Sequence, residues 1–229
     1  MKSKYLRPVA GFVLAVFSIG GLLLFVEEYA KSYFRNTVKD EVLRRDTSDD
    51  VVYEVPAGDY LSVNGEENTD EESVAEGLLE IAGYCAGDDN GTADLHLAGI
   101  ITIPDLGIEE PVWEENTNLA MRYGVILMKE SARIGQKGNS IIVGHRNTIT
   151  HTVFDKLPKI RKGDEVIITT PDGFEQKYRV NGTYYCSPYD LQDYVGTSSD
   201  HPVMITLITC AREKGNCWRF IATLVPSED

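Results

Sequence analysis

The sequence predicts an all-β domain with short helices, carried behind an N-terminal transmembrane helix. Three observations carry that reading. Residues 9–26 (VAGFVLAVFSIGGLLLFV) hold no charged side chain and approach the ~20 apolar residues that a bilayer-spanning helix needs. From Leu95 onward, short β-rich runs alternate with turn signals. Sustained helical periodicity is scarce in that same part of the chain.

The flanks of the apolar run set its orientation. Lys2, Lys4 and Arg7 precede it, and Glu27 and Glu28 follow it. The positive-inside bias therefore puts residues 1–8 in the cytoplasm and everything after residue 27 outside the membrane. A cleaved signal peptide is the alternative, but its apolar region would be shorter, and no convincing small-x-small cleavage site follows Val26.

Residues 27–94 read as an acidic extracellular leader. EEYAKSYFRNTVKDEVLRR (27–45) continues the anchor as a helix on the outer surface, with Tyr29, Tyr33 and Phe34 near the headgroups. Residues 46–68 look like a linker. Thr69 and Glu72 make a capping box, and Val74, Leu78 and Ile81 follow at helical spacing, which predicts a short amphipathic helix near 69–84. DDNG at 88–91 then breaks the chain. Between Asp40 and Asp89 acidic residues far outnumber basic ones, the composition of a solvated spacer. Folding back over a basic cleft as a lid is the competing reading of this segment.

Residues 95–229 form the predicted β domain. LAGIITIP, GIEEPV, NSIIVGHR, DEVIITT, EQKYRVNGTYY, VMITLITC and CWRFIATLV are strand candidates, and PDGF at 171–174 is a hairpin turn between two of them. Short helical pieces fit near 117–123 and 152–158. Many short strands with few helices favour a closed barrel or a sandwich. The net charge of −14 argues against nucleic acid as a partner. The four cysteines, Cys85, Cys186, Cys210 and Cys217, show no CxxC and no zinc spacing, so the domain rests on an apolar core.

Three side chains carry chemistry. His145 closes the apolar run SIIVG, Cys210 closes VMITLIT, and Arg219 lies in the last strand candidate. A thiol with a nearby imidazole attacks amides at neutral pH. A guanidinium holds the oxyanion that results with directed N–H donors. Singly, each residue has a structural reading: a strand-end His, a packed Cys, an Arg paired with a carboxylate.

TLITC with an Arg in the following strand, and GHR some way upstream, resembles the sortases, the membrane-anchored cysteine transpeptidases of Gram-positive bacteria. The resemblance covers about residues 95–226. It includes IITIPDLGIEEPVW for the opening strands, FDKLPKIRKGDEVII after the His segment, and CSPYD for the turn that often precedes the active-site strand. It implies an eight-stranded sortase barrel in which His145, Cys210 and Arg219 are catalytic, with Arg212 the rival Arg and Thr209 lining the site through its hydroxyl or backbone. It also implies surface proteins or pilins with a C-terminal sorting signal as substrates, and an amine of the cell-wall precursor or of a pilin as acceptor. The short connection from Ser187 to Pro202 argues against class B, and the absence of an Asp-Pro-aromatic lid sequence argues against class C, although GHRNT resembles class C. The first expectation is an LPxTG-like signal.

No organic cofactor is implied. Calcium is a lesser expectation, on Glu109, Glu110, Glu114 and Glu115 near the barrel start. Cys217 lies two residues before Arg219, so a Cys210–Cys217 disulfide would be an oxidative off-switch; a packed Cys217, or one paired with Cys186, is the favoured reading, and Cys85 and Cys186 are read as structural. A non-catalytic, membrane-tethered β ectodomain is the competing class of function.

Overall fold

Apolar side chains at every second position build a barrel wall with two different faces. The computed structural model describes residues 32–33, 35–44, 52–56, 92–147, 152–195, 201–211, 214 and 218–227. The expected membrane anchor (9–26), the expected helix near 69–84, Cys85, Arg212 and Cys217 lie outside these residues. No helix among the described residues is long and apolar enough to cross a membrane.

Helical residues 35–44 (α1) are followed by β1 (Val52–Pro56), β2 (Thr92–Ile103), β3 (Ile108–Trp113), α2 (Asn118–Tyr123), β4 (Val125–Leu127) and β5 (Gly138–Val143). Two short strands, β6 (Arg146–Asn147) and β7 (Thr152–Val153), pair with each other beside the barrel. The chain continues through β8 (Glu165–Thr169), β9 (Glu175–Cys186), α3 (Leu191–Val195), β10 (Val203–Cys210) and β11 (Arg219–Pro226). The main sheet has nine strands in the order β1-β2-β3-β4-β5-β10-β11-β9-β8, and a β2–β8 pairing closes the eight strands from β2 onward into a barrel. That is the predicted architecture.

Ile101, Val112, Val125, Ile142, Val166, Tyr178, Leu207 and Ala222 point inward and form the barrel core. Their neighbours on the other face, Val143, Ile126, Trp113, Ile208 and Ile221, form a second apolar cluster with Met121 of α2 and Leu191 of α3. The outer face near the end of β10 is therefore apolar and partly covered.

Several expectations shift. Thr117 caps α2 by accepting the Ala120 N–H, at 3.0 Å, as a short helix near 117–123 requires. The piece expected near 152–158 is instead strand β7 followed by a 3-10 turn, Leu157–Lys159. A domain boundary at residue 94/95 falls inside β2, and a barrel cut there would lose the whole β1–β2 ladder, in which Pro56 faces Thr92 and Val52 faces His96. Tyr53 of β1 stands edge-on to Trp113, with ring centroids 5.6 Å apart. The leader thus contributes two elements to the folded domain.

The four carboxylates considered for calcium do not converge. Glu110 is buried and paired with Arg35 and Lys39, while Glu115 is held by His96. Among the described residues, no group of three or more His, Cys, Asp or Glu side chains is placed to hold a metal ion.

Candidate active site

The parallel β5–β10 ladder runs from Val203 opposite Gly138 to Ile208 opposite Val143. It is extended by the Gly144 N–H, which donates to the Ile208 carbonyl at 3.1 Å. The next residue on β5's side is His145. On the other side of β10, Cys210 faces Arg219 in the antiparallel β10–β11 register. Arg219 in turn faces Cys186 of β9. His145, Cys210, Arg219 and Cys186 therefore occupy one row across four neighbouring chain segments, on the outer side of the barrel wall.

Alternation explains the row. Leu207 and Ile205 fill the barrel, so Ile208 and Cys210 must face out. The same parity puts Thr209 inward: it is 2% exposed, and its hydroxyl donates to the Gly144 carbonyl at 2.8 Å. Of the two ways in which Thr209 is expected to line the site, hydroxyl or backbone, the hydroxyl is turned to the core and engaged with Gly144. Its side chain ties the end of β10 to the residue before His145, which is a positioning role.

His145 is half-buried, and so is Cys210. The surrounding protein desolvates the imidazole and, with the charge of Arg122, lowers its pKa from 6.5 to about 4. Its carbonyl accepts the Phe154 N–H at 3.1 Å. Arg219 is 1% exposed, and one of its guanidinium nitrogens donates to the Trp218 carbonyl at 3.1 Å. Arg219 is thus in register with the thiol but covered.

Two charged residues were missing from the sequence reading. Arg146 donates to the Cys210 carbonyl at 3.4 Å, across from the strand end that carries the thiol. Arg122, on the exposed side of α2, acts on His145 through its charge. GHR already contained the first; nothing in the sequence marked the second. Cys186, read as structural, is a free, buried thiol whose pKa is raised, chiefly by burial. The Cys210–Cys217 pairing and the rival Arg212 fall outside the described residues.

The sortase domain family matches residues 101–226 of the chain. Sortase A of Bacillus anthracis is 29% identical over 54% of this chain and 56% of its own length, so the match spans little more than half of that relative. Sortase A of Listeria monocytogenes is 23% identical over 92% of this chain and 88% of its own length. The crystal structure of sortase C-1 from Actinomyces oris superposes with a TM-score of 0.53 at 24% identity, over 58% of this chain and 75% of that one, a likeness of fold. With the domain match covering more than half of its residues, the chain belongs to the sortase family of cysteine transpeptidases.

Proposed function

We propose that the protein is a membrane-anchored transpeptidase that cuts a C-terminal sorting signal of the LPxTG type after its Thr and joins the protein to an amine of the cell-wall precursor. The observation that carries this reading is the single row in which Cys210 lies between His145 and Arg219. A thiol serving only as core would be buried, and Cys210 is not.

In the first half-reaction the Cys210 sulfur attacks the Thr carbonyl carbon while its proton passes to His145. Arg219 holds the oxyanion. The imidazolium, made acidic by its surroundings, gives the proton to the departing amine as the C–N bond breaks, leaving a thioester on Cys210. In the second half-reaction an incoming amine attacks the thioester, His145 takes its proton, and the thiol is regenerated as the new amide forms. Only side chains of this chain take part. Water in place of the amine gives slow hydrolysis.

The test uses the full chain in detergent with quenched peptides of LPxTG, LPxTA and NPxTN types, each with a wall-precursor amine or a Lys-bearing pilin peptide as acceptor. Cys210→Ala runs beside it. An amine-linked product that disappears in the variant supports the reading, and the preferred acceptor separates wall attachment from pilin joining. Turnover that survives in the variant rejects it.

A further inference from the structure

One carboxylate outside the catalytic row is unusually placed. Glu110, on β3, is 5% exposed, yet one of its oxygens accepts from Arg35 at 2.8 Å and from Lys39 at 3.1 Å. Those two cations are four residues apart and so share one face of α1. A buried carboxylate is stable only when paired, which makes this contact a specific dock for the helix and not an incidental surface pair.

The docked helix forms one wall of a half-open cavity of about 210 Å3 whose lining includes Arg35, Lys39, Glu110, Val153, Asp155 and Lys156. The last three belong to the segment that supports His145. Val153 faces Arg146 in the β6–β7 ladder, and the next residue, Phe154, donates its N–H to the His145 carbonyl. Val153 is also strained. Its φ is 55°, and among the described residues it is the only non-glycine with positive φ. A β-branched residue adopts that region only when its surroundings force it. Val153 is buried and faces the same cavity as Arg35 and Lys39 of α1.

We propose that Glu110 is a positioning residue for His145: by drawing Arg35 and Lys39 onto the barrel, it seats α1 against the Val153–Lys156 segment and holds the imidazole in line with Cys210. This rests on the role given to His145 above. Because α1 follows the expected anchor, the arrangement makes a correctly seated tether a condition of full activity.

The experiment compares the full chain in detergent with Glu110→Gln and with the pair Arg35→Gln and Lys39→Gln, which leaves the barrel sequence untouched. Peptide turnover gives kcat and KM, and NMR titration of the His145 ring reports its surroundings. Arg122, whose charge acts on the imidazole, is unchanged in every variant, as are the neighbouring Arg146 and the row partner Cys210. The expected result is a kcat lower by about tenfold to a hundredfold at unchanged KM. The His145 titration should rise toward the free value of about 6.5. Exchanging the partners, with Glu110→Lys and Lys39→Glu together, should recover much of the lost kcat. If Glu110→Gln does not fold, the helix pair decides. Unchanged kcat and titration in folded variants overturn the proposal, as does a fall in kcat with the His145 titration unmoved. If the unaltered protein turns over no peptide, the transpeptidase reading fails, while the titration still decides the positioning role.

Discussion

Cys210 and Arg219 are register partners across the β10–β11 ladder, so thiol and guanidinium leave the same face of the sheet one strand apart. A Lys at 219 keeps the charge but loses the planar fork of donors. Arg219→Lys is expected to fold and to lower kcat by roughly 10²–10³, the loss typical of one oxyanion donor. Steady-state kinetics with a cleavable peptide checks this. A wild-type kcat would remove Arg219 from the chemistry.

The Thr209 hydroxyl donates to the Gly144 carbonyl, next to His145. Thr209→Val keeps the shape and removes the bond, so a cost of about 1 kcal/mol in urea denaturation is expected. Its kinetic effect should appear in kcat, because the strand end next to His145 loosens. A change confined to KM would instead place the side chain in the substrate groove.

Gly144 has no room for a methyl group. A Cβ there would lie 2.7 Å from Phe154, 2.7 Å from Val125 and 3.0 Å from Val153. Gly144→Ala is expected to cost about 1–3 kcal/mol and to displace His145, lowering activity more than stability alone explains. Thermal melting and turnover measured on the same preparation test both parts.

Stability should depend on pH through His145. Its folded pKa, about 4, lies below the ordinary value of 6.5, so between those values the unfolded chain binds more protons than the native one. Stability therefore falls as the pH is lowered from about 6.5 to about 4. His96 works in the opposite sense, since its hydrogen bond to Glu115 raises its pKa. The contribution of His145 is isolated by comparison with His145→Gln, which should show a flatter acid limb in urea titrations. Parallel curves for the two proteins would contradict a depressed imidazole.

The longer barrel strands were legible because each repeats apolar residues at period two or runs apolar throughout. β4 was not, since Val125–Leu127 has only three residues and takes its place from β3 and β5 on either side. β1 was hidden by composition: VYEVP sits within an acidic leader, and its partner strand begins far downstream. TLITC and GHR identified the ends of β10 and β5, but their juxtaposition depends on a parallel ladder between distant segments, which no local pattern encodes. The inward direction of Thr209 was available from alternation alone, because the residue beside an outward Cys210 has to face the core. Arg122 acts through space from α2, and its effect on His145 becomes visible only in three dimensions.

Pro56 and Thr92 lie opposite each other at the end of the β1–β2 ladder, so the chain leaves and rejoins the barrel at one point. Both ends of the connection from β1 to β2 are thus fixed on the domain. A protease cutting between Pro56 and Thr92 would not detach β1 from the barrel, because the ladder and the Tyr53–Trp113 contact still span the break. Changes in the number of residues joining Pro56 to Thr92 should cost little, since closure entropy grows only logarithmically with length. The number of residues between Pro56 and Thr92 can therefore change while the β1–β2 ladder stays the same.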